Sequence, residues 1–86
     1  MIVLVDDIKL NDRDVFFNYI NTMFPDDEIV DEESLFNFLT KGNPQIEFLI
    51  SDYDDVSDDG KFFASRILRL LNDVLAANNN FKLTMM

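Results

Sequence analysis

The chain contains no cysteine and no histidine, and it has only two glycines and two prolines. Without cysteine there is neither a disulfide framework nor a thiolate metal site. Without histidine the chain also lacks the commonest general base and transition-metal ligand. The chemistry open to its side chains is therefore that of carboxylates, hydroxyls and amines.

Positive charge is scarce as well. Seven lysines and arginines stand against seventeen aspartates and glutamates, which gives a net charge of −10. This charge disfavours contact with nucleic acid or an anionic membrane surface, and it favours cations or basic protein surfaces as partners. No apolar run has the length of a membrane span, and the first residues lack the basic stretch of a secretion signal. We therefore expect a cytoplasmic protein.

What the chain does have is apolar residues, at 48% of its 86 residues, including nine phenylalanines. A disordered acidic tail would be poor in aromatic residues. The length allows one small domain, residues 1–86, with a modest hydrophobic core.

Two short apolar runs end abruptly in aspartate. Residues 2–5 run into Asp6 and Asp7, and residues 48–51 run into Asp52. Uninterrupted Val/Ile/Leu runs are typical of buried parallel strands, and the carboxyl ends of such strands form the ligand-binding edge of an open α/β sheet. Because three crowded carboxylates repel one another, we expect a bound hard cation there, most simply Mg²⁺.

Helix signals separate the predicted strands. Asn11 or Asp12 can cap a helix that ends at Phe24, and Asp31 can cap a second helix that ends at residues 41–44. A third helix is predicted over residues 61–77. The predicted strands cover residues 2–5, 27–30, 46–50 and 81–86. The resulting order β-α-β-α-β-α-β predicts a doubly wound parallel sheet with helices on both faces.

Three motifs together resemble the receiver domain of two-component response regulators. That family has an acidic pair after its first strand, a phosphoacceptor aspartate after its third, and an Asp-Gly turn eight residues later. The corresponding residues here are Asp6-Asp7, Asp52 and Asp59-Gly60. The resemblance implies a flavodoxin-like topology and a signalling module rather than an enzyme with turnover.

The resemblance also implies roles for single residues. Asp52 would be the phosphoacceptor and Asp7 a direct Mg²⁺ ligand. Asp6 would bind the metal through water, and the backbone carbonyl of Asp54 would be a further ligand. The implied partner is a sensor histidine kinase or a phosphotransfer protein.

The chain departs from the family at its end. A receiver carries a serine or threonine after its fourth strand and a lysine after its fifth, and Met86 comes before either. The resemblance therefore implies a domain that lacks its C-terminal third, and with it the two side chains that contact the phosphoryl group in the family. The predicted last strand would be left as an unprotected sheet edge, through which we expect a homodimer to form.

Other interpretations of the same acids remain open. An acidic pair at a strand end is often only a turn. Residues 55–60 partly fit a calcium loop, but Arg66 occupies the position of its bidentate glutamate. Most different is a small acidic inhibitor or immunity protein, similar to barstar-like proteins, that blocks a basic nuclease or another basic partner with the acids of residues 26–33.

Overall fold

The computed structural model describes residues 1–86 and contains three strands, four α-helices and one 3-10 turn. In chain order they are β1 (Ile2–Val5), α1 (Asp7–Leu10), α2 (Arg13–Met23), α3 (Glu32–Thr40), β2 (Glu47–Ile50), the 3-10 turn (Tyr53–Asp55), α4 (Lys61–Ala77) and β3 (Lys82–Met85).

The three strands form one parallel sheet in the order β1-β2-β3. Val5 is paired with Ile50, and Ile50 is paired with Met85, so the carboxyl ends of all three strands lie at one edge. The strand predicted over residues 46–50 is central, as expected. Both β1 and β3 are edge strands.

The prediction of four strands is wrong, because residues 27–30 form no strand. The backbone of Ile29 is bound by a side chain instead of a neighbouring strand: its N–H donates to Asn21 Oδ1 at 3.1 Å, and Asn21 Nδ2 donates to its carbonyl at 2.7 Å. The Val30 N–H donates to the Ser34 hydroxyl. With these groups satisfied and Ile29 buried, the segment gains nothing by pairing with β1.

The prediction of helices on both faces of the sheet is also wrong. Because the chain steps from β1 to β2 to β3 in one direction, right-handed crossovers place their helices on the same side. The face towards the helices, here called the covered face, carries the buried Val3, Val5, Phe48 and Ile50. The opposite, open face carries Ile2, Leu4, Glu47, Leu49, Lys82 and Thr84. The fold is thus a two-layer α/β arrangement.

The three longer helices form where their sequence signals predict, whereas the short helix α1 was not predicted. Asp12 caps α2 by accepting hydrogen bonds from two backbone N–H groups, and Asp31 forms a capping box with Ser34 at the start of α3. The predicted bounds of α4 are confirmed at both ends. An edge-to-face contact between Phe16 of α2 and Phe63 of α4 joins the two helices, with ring centroids 5.7 Å apart.

Asn78 is the one polar side chain that is fully buried. Its amide donates at 2.9 Å to the carbonyl of Leu39 and at 2.9 Å to that of Pro44, and its oxygen accepts from the Asn80 N–H. The sequence predicts a helix break here, but the structure shows that Asn78 also ties the end of α4 to the end of α3.

None of the four helices is both long enough and apolar enough to cross a lipid bilayer.

Candidate functional site

The sheet places the predicted aspartates at its carboxyl edge. Asp6 and Asp7 follow β1, and Asp52 follows β2 after Ser51. The Ser51 N–H donates to the Val5 carbonyl at 2.9 Å, which continues the parallel ladder beyond the strands. Asp6 and Ser51 are therefore neighbours, and the two acidic segments leave the sheet side by side.

The Asp6 side chain stabilises the start of α1, apart from its predicted role at the metal site. Its side chain caps α1 by accepting from the Lys9 N–H at 3.1 Å, and its carboxylate lies 3.6 Å from Lys9 Nζ. Lys9 Nζ also lies 4.5 Å from the centroid of the Tyr19 ring. This lysine partly balances the acidic pair at the edge of the sheet, and any cation bound there would compete with it.

The other predicted side chains have no cationic partner. The ion pairs in the structure join Lys9 to Asp6, Lys61 to Asp58 and Arg66 to Glu32, and none involves Asp7, Asp52 or Asp54. Asp52 and Asp54 are exposed, and Asp7 is partly exposed. Their carboxylates are therefore accessible to a ligand from solvent.

Asp52 has an unusual backbone conformation. Its φ of 56° and ψ of 32° lie in the left-handed region, where only one other residue apart from glycine is found, Asn43. Aspartate tolerates this region better than most residues, but the conformation still costs free energy. Such conformations are concentrated at functional turns, and here it turns the chain sharply from β2 into the 3-10 turn.

The backbone around Asp54 leaves its carbonyl available. The N–H groups of Asp55 and Val56 donate to the carbonyls of Asp52 and Tyr53, in the 3-10 pattern. The next N–H, that of Ser57, donates instead to Asn11 Oδ1 at 3.2 Å. The pattern thus ends before it reaches the Asp54 carbonyl, the atom that the family resemblance implies as a metal ligand.

Asn11 joins the two acidic loops, which the sequence did not reveal. Its Oδ1 accepts from both the backbone N–H and the hydroxyl of Ser57, the latter at 2.6 Å. The Ser57 hydroxyl in turn accepts from the Gly60 N–H at 3.3 Å. We refer to Asn11, Ser57 and Gly60 as the loop latch, since they hold the loop after β1 against the loop after β2.

Gly60 is required by the close approach of Asn11. A Cβ atom at position 60 would lie 2.7 Å from the Asn11 carbonyl oxygen and 2.8 Å from its Cα, and it would overlap the Asn11 side chain. Any other residue would push the two loops apart. The Asp-Gly sequence pattern marks a turn, but it contains no signal that the neighbour is Asn11.

The aspartates share one edge without converging on one point. Nowhere in the structure do three or more acidic side chains lie close enough together to hold one metal ion. The donors suited to Mg²⁺ are carboxylates and a carbonyl, which fits a hard cation by chemistry.

The acids of residues 26–33 divide into two groups. Asp26, Asp27 and Glu28 are exposed in the turn after α2. Asp31 caps α3, and Glu32 is paired with Arg66 of α4. The Ser34 backbone N–H and then its hydroxyl hold the pKa of Asp31 below the ordinary value. Part of this acidic segment therefore stabilises the fold.

A comparison of the chain with models of known protein families, with curated proteins and with solved structures finds no match in any of the three.

Proposed function

We propose that the chain is a phosphoacceptor module of a two-component signalling system, with Asp52 as the acceptor. In this proposal Asp6, Asp7 and the Asp54 carbonyl hold Mg²⁺, and the phosphoryl donor is a sensor histidine kinase or a phosphotransfer protein. The observation that carries the proposal is the position of Asp6-Asp7 and Asp52 at the ends of adjacent parallel strands, in two loops joined by the loop latch.

The reaction assigned to Asp52 is a single displacement at the phosphorus atom of the donor's phosphoryl group. One carboxylate oxygen forms a P–O bond while the P–N bond of the donor's phosphohistidine breaks, and the ring nitrogen takes the bonding pair. When bound, Mg²⁺ would supply charge neutralisation between the carboxylate and the phosphoryl oxygens. The exposed carboxylate of Asp52, without an ion pair, leaves the attacking oxygens accessible.

Metal binding is tested first, by a Mg²⁺ titration followed through amide chemical shifts. We expect saturable shifts at Asp6, Asp7 and residues 52–54, and their loss in Asp7→Asn. A matched control is Asp73→Asn, an exposed aspartate near the end of α4, at the far end of this crossover helix from the carboxyl edge. A folded sample without localised shifts would contradict the metal site.

Phosphorylation is tested separately with a small phosphodonor such as acetyl phosphate in the presence of Mg²⁺. Intact mass should show one added phosphoryl group, which is acid-stable and base-labile like an acyl phosphate, and Asp52→Asn should not gain it. Phosphorylation that persists in Asp52→Asn would place the acceptor elsewhere. No phosphorylation by this donor or by a phosphohistidine protein would overturn the proposal, even if Mg²⁺ binds.

The acidic inhibitor remains the alternative function, and the exposed turn of Asp26, Asp27 and Glu28 supports it. Asp31 and Glu32 weaken it, because both have partners within the chain. Asp52→Asn separates the two functions: it should abolish phosphoacceptor activity and leave an inhibitor that uses the α2–α3 turn unaffected.

Association through the last strand is part of the same proposal. In β3 the N–H groups of Lys82 and Met86 point towards β2, so that of Met85 points outwards. Met85→Pro removes one outward donor and no bond to β2. We expect a dimer in sedimentation equilibrium that Met85→Pro dissociates. A wild-type chain that is monomeric at all concentrations would contradict this.

A further inference from the structure

The open face of the sheet is an apolar surface without a covering layer. Leu4 is 58% exposed and Ile2 is 55% exposed, and both lie on the edge strand β1. Leu49 of the central strand lies beside Leu4 in the register, between Leu4 and Thr84. Parallel sheets are normally covered on both faces, because each face buries apolar side chains. The open face is therefore a candidate docking surface for an apolar partner.

The open face has about the size of the surface that a single bound α-helix covers. Three strands of four residues make a surface on the order of 200 Å². A second copy of the chain, packed face to face, would bury far less than the roughly 800 Å² per partner of a stable interface. A single α-helix has a diameter of about 10 Å with side chains, which matches the width of three strands.

The charges around the open face indicate how that helix is oriented and whether its net charge is positive or negative. Asp6 and Asp7 lie at the carboxyl end of the strands, whereas at the amino end Lys82 lies beside Glu47 in the register, so that the charges there are balanced. A helix antiparallel to the strands would place its positive dipole end at the acidic edge and its negative end at the balanced one, and the reverse orientation would place its negative end against Asp6 and Asp7. The net charge of −10 further favours a basic helix over an acidic one.

We propose that the open face binds a basic amphipathic helix of a partner protein, with the apolar stripe of the helix packed on Leu4 and Leu49 and its axis antiparallel to the strands. Neither the apolar contact nor the acidic edge requires a phosphoryl group on Asp52. It adds a second covering layer to the parallel sheet, which residues 1–86 cover on one face.

The test uses a synthetic peptide of about four helical turns with leucine at i, i+3, i+4 and i+7 and lysine at the other positions. Binding to the labelled protein is followed by amide chemical shifts. We expect saturable shifts confined to the three strands and Asp6 and Asp7. Leu4→Thr keeps a residue suited to strands but removes the apolar contact, and it should weaken binding roughly tenfold.

Matched controls separate this site from general attraction between opposite charges. A peptide of the same composition in scrambled order, without the apolar stripe, should lose the shifts on the strands. Phe62→Thr changes an exposed phenylalanine of α4 that is not on the sheet, and it should leave binding unchanged.

Three outcomes would overturn the proposal: shifts centred on the helices, equal binding by the scrambled peptide, or unchanged affinity in Leu4→Thr. A dimer of the wild-type chain that Leu4→Thr dissociates would also overturn it, because the occupant would then be a second copy.

Discussion

The two faces of the sheet are built from the same strands, yet their environments are opposite. Val3 is fully buried, and Leu4, the next residue and equally apolar, is 58% exposed. In β1 both faces are aliphatic, so the sequence of this strand does not distinguish them, although the other two strands add Glu47, Lys82 and Thr84 to the open face. The difference arises because the chain moves across the sheet in one direction and brings all its helices to one side. An apolar run therefore shows only that a strand can be buried on both faces. The connections between the strands determine which of these faces the helices cover.

The largest expected effect distinguishes the two faces directly. Phe48→Ala removes a fully buried ring from the covered face and should lower the free energy of unfolding by about 3–5 kcal/mol. Leu4→Ala on the open face should change it by no more than about 0.5 kcal/mol. Both are measured by denaturant unfolding. If Phe48→Ala leaves too little folded protein, Phe48→Leu gives a smaller loss of the same sign.

A large loss of stability in Leu4→Ala would contradict the expected difference between the two faces. It would mean that another chain already covers the open face under the conditions of the experiment. Its dependence on protein concentration would identify this cause.

The next effect concerns the helices above the covered face. Asn78→Ala leaves the carbonyls of Leu39 and Pro44 without their buried donor, and should cost about 2–3 kcal/mol in denaturant unfolding. The matched control is Asn79→Ala, an exposed neighbour in the same turn, which should cost little. Equal effects of the two substitutions would show that the turn, and not the buried amide, joins α3 to α4.

The contrast between helices and strands also shows how much of the fold the sequence could predict. The bounds of α4 and the cap of α3 depend on local signals, such as Asp31 and the apolar spacing within α4, and these predictions are confirmed. The strand at residues 27–30 depends on a choice of partner. Asn21, eight residues before Ile29, binds its backbone, and no local pattern distinguishes that amide from any other asparagine on α2.

The candidate site likewise has one part that the sequence could predict and one part that it could not. Asp6, Asp7 and Asp52 are placed by strand ends, which the sequence shows, and the structure brings them to one edge. Asn11 joins the loops across 46 residues of sequence to Ser57, and a single sequence contains no signal for that contact. Whether the aspartates hold Mg²⁺ and accept phosphate stays a prediction.

An intermediate effect is expected where the two acidic loops meet. Gly60→Ala forces Asn11 away from Ser57 and should destabilise the chain by about 1–3 kcal/mol in thermal or denaturant unfolding. Asn11→Gly in the same chain should restore part of the loss, because it removes the overlapping side chain. Gly42→Ala is the matched control at the other glycine: it meets no atom within 4 Å, although its φ of 77° adds some backbone strain. A Gly60→Ala chain as stable as the wild type would show that the latch is not held tightly.

The smallest expected effect is the acid sensitivity of α3, one of the helices on the covered face. The Ser34 backbone N–H, and next its hydroxyl, bind the ionised Asp31 and lower its pKa in the folded chain. Because the folded-state pKa is below the unfolded value, ionised Asp31 stabilises the fold at every pH above the ordinary value of 3.8. This stabilisation is lost as the pH falls through the folded-state pKa.

Asp31→Asn keeps a capping oxygen but cannot ionise. The stability difference between wild type and Asp31→Asn should therefore be constant near neutral pH and should decrease below pH 3.8, as followed by thermal unfolding at a series of pH values. In Ser34→Ala the backbone donor remains and the hydroxyl is lost, so the pKa of Asp31 should rise only part of the way towards its ordinary value. A difference that stayed constant down to the acid limit would show that the cap acts through hydrogen-bond geometry alone, without a contribution from charge.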